Sequence, residues 1–327
     1  MLPHFSYVRP ETVKDAIRHL NAKGAAVHAG GTDLLGCLRE GIIDVDKVVS
    51  LSALADLYEI RQTAGGGLSI GALATITRVA ESPLVREKYP GLARGAAEVA
   101  SPQLRNQGTL GGNLCQKPRC WYYRGEFACL RKGGDICYAI DGENQFHAIF
   151  GHDRICAITH PSDTAPPLAA LGAKVSTAGP EGSRSIAVEK LHVLPKQNVR
   201  AETVLKPGEL ITRIELPPPG ENLYSAYRKV RARRSWDFAL AGLALALETD
   251  GDRVKTARVF LSGAAPVPWR SQAVEQAING RRLDDATIAE AAEAVIQEAD
   301  PLSENAYKLN LFKGVVEEQL HAAAMAA

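Results

Sequence analysis

No stretch of the 327-residue chain runs through the ~18 to 20 apolar residues that a bilayer-crossing helix needs, because Arg, Lys, Asp or Glu interrupts every candidate. A membrane span is not expected. The start, MLPHFSYVRPETVKDAIRHL, lacks the basic and then apolar segments of a secretory leader, which points to the cytoplasm. An excess of one charge is also missing. The 38 basic and 37 acidic residues leave +1, so nothing in the balance argues for a nucleic-acid or anionic-membrane surface. There is no G-x-G-x-x-G fingerprint and no Walker A loop, which disfavours Rossmann and P-loop nucleotide binding. Cys120, Cys129, Cys137 and Cys156 contain no closely spaced C-x2-4-C pair, so the ordinary zinc pattern is missing from that set. No Ser-His-Asp set, H-E-x-x-H or paired-carboxylate spacing stands out.

What is present is ordinary globular composition, 46% hydrophobic and 23% charged, at a length that suggests two or three modules. Pro10 to Asn21 has apolar residues at helical spacing. Ala25 to Ala29 reads as a strand, as do Lys47 to Leu51 and Leu68 to Ala72. Leu84 to Ala100 is helical in pattern, with Ser101-Pro102 as its stop. Between Arg105 and Gly151 the chain is rich in Gly, Cys and aromatic residues without clear periodicity, so it reads as a folded loop insertion held by something other than a core. Pro217-Pro218-Pro219-Gly220 is the best linker. Beyond it lie a small-residue apolar helix or strand (Phe238 to Leu247), a strand (Ala257 to Ser262) and two amphipathic helices (Asp285 to Ala299 and Ala306 to Gln319). Leu320 to Ala327 reads as a frayed tail or a subunit contact. Mixed α and β structure follows.

Two loops share one physical device. In Val27-His28-Ala29-Gly30-Gly31-Thr32-Asp33-Leu34-Leu35 a strand ends in paired glycines, which let the backbone turn sharply and present successive N–H groups to a pyrophosphate. Arg105-Asn106-Gln107-Gly108-Thr109-Leu110-Gly111-Gly112-Asn113 repeats it, with Thr109 and Asn113 able to bond phosphate or hydroxyl oxygens. Either loop alone is equally a tight turn. The pair suits one long dinucleotide. His28 reads as a packed or half-exposed ring rather than a base.

Five of the six cysteines crowd between Cys115 and Cys156. Cys120, Cys129, Cys137 and Cys156, spaced C-x8-C-x7-C-x18-C, suit a 4Fe-4S cubane or stand as reduced, unliganded thiols. Cys115 competes for the same role, and Cys37 reads as a remote thiol. Asp163, in Pro161-Ser162-Asp163, either accepts hydrogen bonds from a sugar or ring or caps a helix. Of the basic run Arg228 to Arg234, one cation could reach back to a bound ring, though a solvated face explains such a run equally.

The ordered motifs Ala29-Gly30-Gly31-Thr32-Asp33-Leu34, Thr109-Leu110-Gly111-Gly112-Asn113, Pro161-Ser162-Asp163 and Tyr227-Arg228-Lys229 resemble the FAD-binding medium subunits of the xanthine dehydrogenase, or molybdenum hydroxylase, family. The insertion from Arg119-Cys120-Trp121 to Cys156 is similar to that of the family's bacterial aldehyde oxidoreductase flavin subunits, which carry a 4Fe-4S cluster. The resemblance implies an α+β fold: an FAD-binding domain of vanillyl-alcohol-oxidase (PCMH) type with two α/β subdomains over residues 1–218, its cysteine insertion at about 115–157, and a C-terminal flavoprotein domain over 222–327. It implies that Val27 to Leu35 wrap the FAD pyrophosphate, that Thr109, Gly111, Gly112 and Asn113 complete the grip, and that Asp163, Ile211 and Lys229 line the ribityl or ring region. It implies a 4Fe-4S cluster on Cys120, Cys129, Cys137 and Cys156. Partners would be a large molybdenum-cofactor subunit and a small 2Fe-2S subunit, and the flavin would pass electrons to a final acceptor. Such complexes can be exported on a partner's signal, so the periplasm is the alternative compartment. Two other readings stand beside this one: a self-contained vanillyl-alcohol-oxidase-type flavin oxidoreductase, and a zinc-binding assembly module.

Overall fold

The computed structural model describes residues 1–234 and 236–326; Ser235 and Ala327 lie outside the described residues. Three sheets organise it. Strands β1 (Ser6–Val8), β2 (Ala25–His28) and β3 (Lys47–Ser50) form a small parallel sheet in the order β1-β3-β2. Its crossovers carry the helices Val13–Leu20 and Leu34–Arg39. The first helix starts where it does because Thr12 accepts a hydrogen bond from the Asp15 N–H at 3.1 Å.

Strands β4 (Ile60–Gln62), β5 (Leu68–Gly71), β6 (Lys174–Gly179), β7 (Gly182–Ala187) and β8 (Leu210–Leu216) form an antiparallel sheet in the order β4-β5-β8-β6-β7. The third sheet, also antiparallel, contains β9 (Leu223–Val230), β10 (Ala241–Asp250), β11 (Arg253–Ser262) and β12 (Trp269–Arg270) in the order β12-β11-β10-β9.

The apolar segment that reads as helix or strand is thus a strand, β10, and its alternation explains the ambiguity. Ala244 and Ala246 point into the core of the N-terminal half, beside Leu92, Ala96 and Leu168. Leu243, Leu245 and Leu247 point the other way, into a second core with Ile288, Phe312 and Val316. A strand covered on both faces shows no polar residue every second position, so its period of two is hidden.

Where a continuous helix is expected from Leu84, the chain forms two, Pro83–Lys88 and Pro90–Ala97. Pro90 cannot continue the first but is well placed to open the second. Likewise Ser101-Pro102 is a start rather than a stop, because the Ser101 hydroxyl accepts from the Leu104 N–H and Pro102 opens the helix Pro102–Gln107. The C-terminal helices are Asp285–Ala294 and Tyr307–Ala326. Instead of fraying at Leu320, the last helix continues with Leu320 and Ala323 buried.

The cysteine-rich segment is held more firmly than a loop without a core. Ile149 and Phe150 insert into the second core, the Ile149 N–H donates to Ala264 O at 2.9 Å, and Trp121, Tyr122, Phe127, Tyr138 and Phe146 pack ring against ring. Further along, His160 and His192 lie with ring centroids 4.1 Å apart and planes tilted by 57°, both buried. Burial lowers both, His192 to about 4 and His160 well below the ordinary 6.5. Below pH 6.5 the unfolded chain therefore takes up protons that the folded chain refuses. Stability should be full above that value and fall as pH drops toward 4. Each ring contributes a slope of up to about 1.4 kcal/mol per pH unit. Urea unfolding midpoints measured from pH 7 to pH 5 should decline, and less steeply in His160→Phe.

Candidate functional site

The two glycine loops meet backbone to backbone. After β2 the chain turns through Gly30 and Gly31, the latter at φ +73°, into the helix Leu34–Arg39. A methyl group on Gly30 would lie 1.9 Å from the Gln107 carbonyl oxygen and 3.1 Å from Gly108 Cα. Only glycine permits that approach. The second loop is pinned from behind: Leu110 and Gly111 donate their N–H groups to Ala74 O and Ala72 O at 2.9 Å, and Ile76 donates to Gly108 O at 2.9 Å. Thr109 Oγ1 accepts from the Gly112 N–H at 3.2 Å. Asn113 Oδ1 accepts from the hydroxyls of Ser162 (2.5 Å) and Thr164 (2.7 Å), which ties the Pro161-Ser162-Asp163 motif to this loop. Val27, Thr32, Leu35 and Gly112 remain exposed along the paired loops, while Ala29, Gly30, Gly31 and Leu34 are half-buried beside them. His28 is also half-buried, its Nδ1 has no partner, and burial lowers its pKa.

Cys120, Cys129, Cys137 and Cys156 line one small cavity, walled in part by Tyr122, Tyr138 and His147. Each thiol arrives on its own turn. Cys120 precedes the helical turn Trp121–Arg124, Cys129 precedes the turn Leu130–Lys132, and Cys156 follows Asp153 and Arg154, both at positive φ. Cys115 is not among the lining residues; it packs against the main core, and burial pushes its thiol up to about 12. All six cysteines are free. Among the described residues, no group of three or more His, Cys, Asp or Glu side chains stands at metal-holding spacing. Burial raises Cys120 to about 11, while a hydrogen bond from Cys156 lowers Cys137 and raises Cys156 in turn. His147 Nε2 lies 3.2 Å from Cys120 Sγ, and burial together with Lys308 lowers this ring to about 4.

The FAD binding domain in molybdopterin dehydrogenase matches residues 3–219, and the CO dehydrogenase flavoprotein C-terminal domain matches residues 225–323. The chain belongs to the FAD-binding medium subunits of the molybdenum hydroxylase family. Among the relatives of this medium subunit, the aldehyde oxidoreductase FAD-binding subunit PaoB of Escherichia coli K12 is 38% identical over 319 residues, covering 94% of this chain and 95% of PaoB. The carbon monoxide dehydrogenase medium chain of Afipia carboxidovorans is 28% identical, covering 90% and 88%. A chain of quinoline 2-oxidoreductase from Pseudomonas putida 86 superposes with a TM-score of 0.78 at 27% identity, covering 100% of this chain and 99% of its own. By family, the medium subunit is a component of an oxidoreductase, and its mixed α+β fold is that of the family.

The paired loops fit FAD: a cradle of main chain, closed to side chains at Gly30 and Gly111, with exposed Val27, Thr32, Leu35 and Gly112 along it. The remaining expected contact residues of the medium subunit are engaged by partners within the protein. The Asp33 carboxylate accepts from the Lys117 N–H (2.7 Å), from Arg124 Nη2 (2.8 Å) and from Arg119. Burial works against its charge, yet Arg119 and these hydrogen bonds hold it below the usual carboxylate range. Asp163 and Lys229 form a buried pair at 2.7 Å; Tyr227 donates to Asp163 at 2.8 Å, and Lys229 also donates to Glu98 O at 3.1 Å. Burial raises Asp163 against the opposing pull of Lys229. Ile211 sits in β8, opposite Thr177 of β6, packed into the main core.

Elsewhere in the basic run Arg228 pairs with Glu318 and Arg231 with Glu98, both at 2.9 Å. Sequence reasoning missed Lys117, Arg119 and Arg124 as partners of Asp33, and His147 beside Cys120. No local spacing signals pairs separated by 27 to 91 residues.

Gly30→Ala should force the two loops apart and weaken FAD binding at least about tenfold, read by flavin absorbance on titration into the apoprotein. Gly36→Ala is the control. A methyl group there meets nothing within 4 Å, so it should leave affinity unchanged and stabilise the helix by up to about 1 kcal/mol.

Proposed function

We propose that this medium subunit is an electron-transfer component of a molybdenum-dependent aldehyde or xanthine-type oxidoreductase. It would stand between a small 2Fe-2S subunit, which receives electrons from a large molybdenum-cofactor subunit, and a final acceptor. What carries the reading is the near full-length match at 38% identity to a subunit named for aldehyde oxidoreductase and FAD binding. Bound FAD supplies the redox chemistry. The chain's own residues bind and orient: the Val27 to Leu35 turn and the Thr109 to Asn113 loop hold the cofactor from two sides, Asn113 is fixed by Ser162 and Thr164, and Asp33 locks the first turn to the cysteine segment. In this reading Asp163 and Lys229 set the charge near the flavin as one neutral pair, and Ile211 supports them from the sheet. No acid or base is required of the protein. The FAD-binding domain spans residues 1–218 and the C-terminal domain 222–327.

The finer part of the proposal concerns Cys120, Cys129, Cys137 and Cys156, which together would hold a 4Fe-4S cluster. Its support is that four thiols from separate turns line a single cavity, with tetrahedral thiolate donors being what such a cluster takes. The raised pKa values of Cys120 and Cys156 favour thiols there in the metal-free chain, while the hydrogen bond from Cys156 lowers Cys137; a bound cation favours thiolate ligands throughout. The compartment follows the partners rather than this chain, in which no described helix is long and apolar enough to cross a membrane.

The test is anaerobic purification of the subunit with its partners, followed by counts of FAD and iron per chain. One FAD and four irons are expected on this subunit. Cys129→Ser should lose the iron and keep the FAD. Unchanged iron would overturn the ligand assignment, and turnover of an organic substrate by this chain alone would overturn the electron-transfer role.

A further inference from the structure

We propose that His147 is a positioning residue of the cysteine cavity: it donates its Nε2–H to Cys120 Sγ and thereby raises the reduction potential of a cluster held there. The inference rests on the 4Fe-4S reading above and goes beyond it, by assigning a role to a side chain that is no ligand.

Three observations converge. The first is contact. Nε2 lies 3.2 Å from the Cys120 sulfur, and the ring forms part of the cavity wall. The second is the other nitrogen: Nδ1 is buried and makes no well-aligned hydrogen bond, and the backbone acceptor near the ring, Asn144 O, already accepts from the His147 N–H at 2.9 Å and from Asn305 Nδ2 at 3.3 Å. A neutral imidazole carries one N–H. Placed on Nδ1, that hydrogen would be a buried donor left to a carbonyl that already accepts two hydrogen bonds. Placed on Nε2, it points at sulfur, and Nδ1 keeps only a lone pair, so the Nε2–H tautomer is the one this environment selects.

The third is rigidity. Trp121 meets the ring edge-on at a centroid distance of 5.1 Å, and Tyr122 lies at 6.1 Å on a tilt. The backbone is bolted to the C-terminal half. Lys308 Nζ, wholly buried, donates to His147 O (2.9 Å), Phe146 O (3.3 Å) and Gly263 O (2.9 Å). Asn305 Nδ2 donates to Asn144 O, His147 O and Ala148 O at 3.2 to 3.3 Å. Together they hold one ring at one angle to one sulfur, as supporting residues do around metal sites.

The electrostatic consequence has a definite sign. Reduction adds negative charge that is shared with the thiolate sulfurs. An N–H dipole aimed at one of them stabilises the reduced state more than the oxidised one, so removing it lowers the potential. Arg131, also in the cavity wall, has its charge offset by Glu202 at 2.7 Å, and its Nη1 and Nη2 donate to the carbonyls of Val199 and Ala201, while its Nε is buried without a partner.

The experiment uses the assembled complex of wild type, His147→Phe and His147→Gln. Iron and FAD are counted per chain, and the cluster is titrated anaerobically with its EPR signal as readout. Both variants should keep wild-type iron and FAD. The midpoint should move to lower potential in His147→Phe and return toward wild type in His147→Gln, whose amide N–H restores a donor. Full iron with an unmoved midpoint in His147→Phe would overturn the proposal. Loss of iron from both variants would also overturn it, making His147 a ligand or a packing element. Wild type without iron would instead refute the cluster reading itself, an outcome distinct from both.

Discussion

The close approach of Gly30 to the Gln107 carbonyl sets the geometry on which the rest of the site depends. It joins a turn leaving the parallel sheet to a loop pinned beneath the antiparallel one, with no side chain between them. Each loop is independently held from behind, the first by β2 and the helix Leu34–Arg39, the second by hydrogen bonds to Ala72, Ala74 and Ile76. A cradle of this kind presents backbone groups that lose no rotamer freedom when a ligand arrives, so binding does not have to order it.

The same turn is coupled outward through charge. Asp33 draws in Lys117, Arg119 and Arg124, and Arg124 also reaches Cys37 Sγ at 3.0 Å. Lys117 and Arg131 share Glu202, which brings the start and the middle of the cysteine segment onto one carboxylate. The far end of that segment enters the second core through Ile149 and Phe150 and is clamped by Asn305 and Lys308. The segment therefore touches both halves of the molecule. Covalent continuity through Pro217 to Gly220 is one bridge between them; the cysteine segment and β10, whose two faces serve two cores, are others.

Much of this is legible in the chain. Helical spacing in Pro10 to Asn21, the strands entering the glycine turns, and the glycines themselves all express local rules, in which the residue at a position limits its own backbone. Errors fell where local rules have two meanings. Proline both ends one helix and opens the next, which hid the breaks at Pro90 and Ser101-Pro102. Alternation vanished in β10 because both faces are buried. Asp163 and Lys229 stood out as polar residues in ordered motifs, but nothing in their surroundings along the chain announced that they would bury each other's charge.

The sequence by itself determined the family, the two glycine loops proposed to hold FAD and the presence of four widely spaced cysteines beyond the usual zinc pattern. Only the tertiary structure decided which groups neutralise Asp33 and Asp163, that Cys120, Cys129, Cys137 and Cys156 face one cavity while Cys115 does not, and that His147 stands against one of those sulfurs. The reason is physical. Turns, caps and strands arise from interactions between near neighbours, whereas these pairings join segments tens of residues apart and form only when burial makes an unpaired charge or an unsatisfied donor too costly to leave.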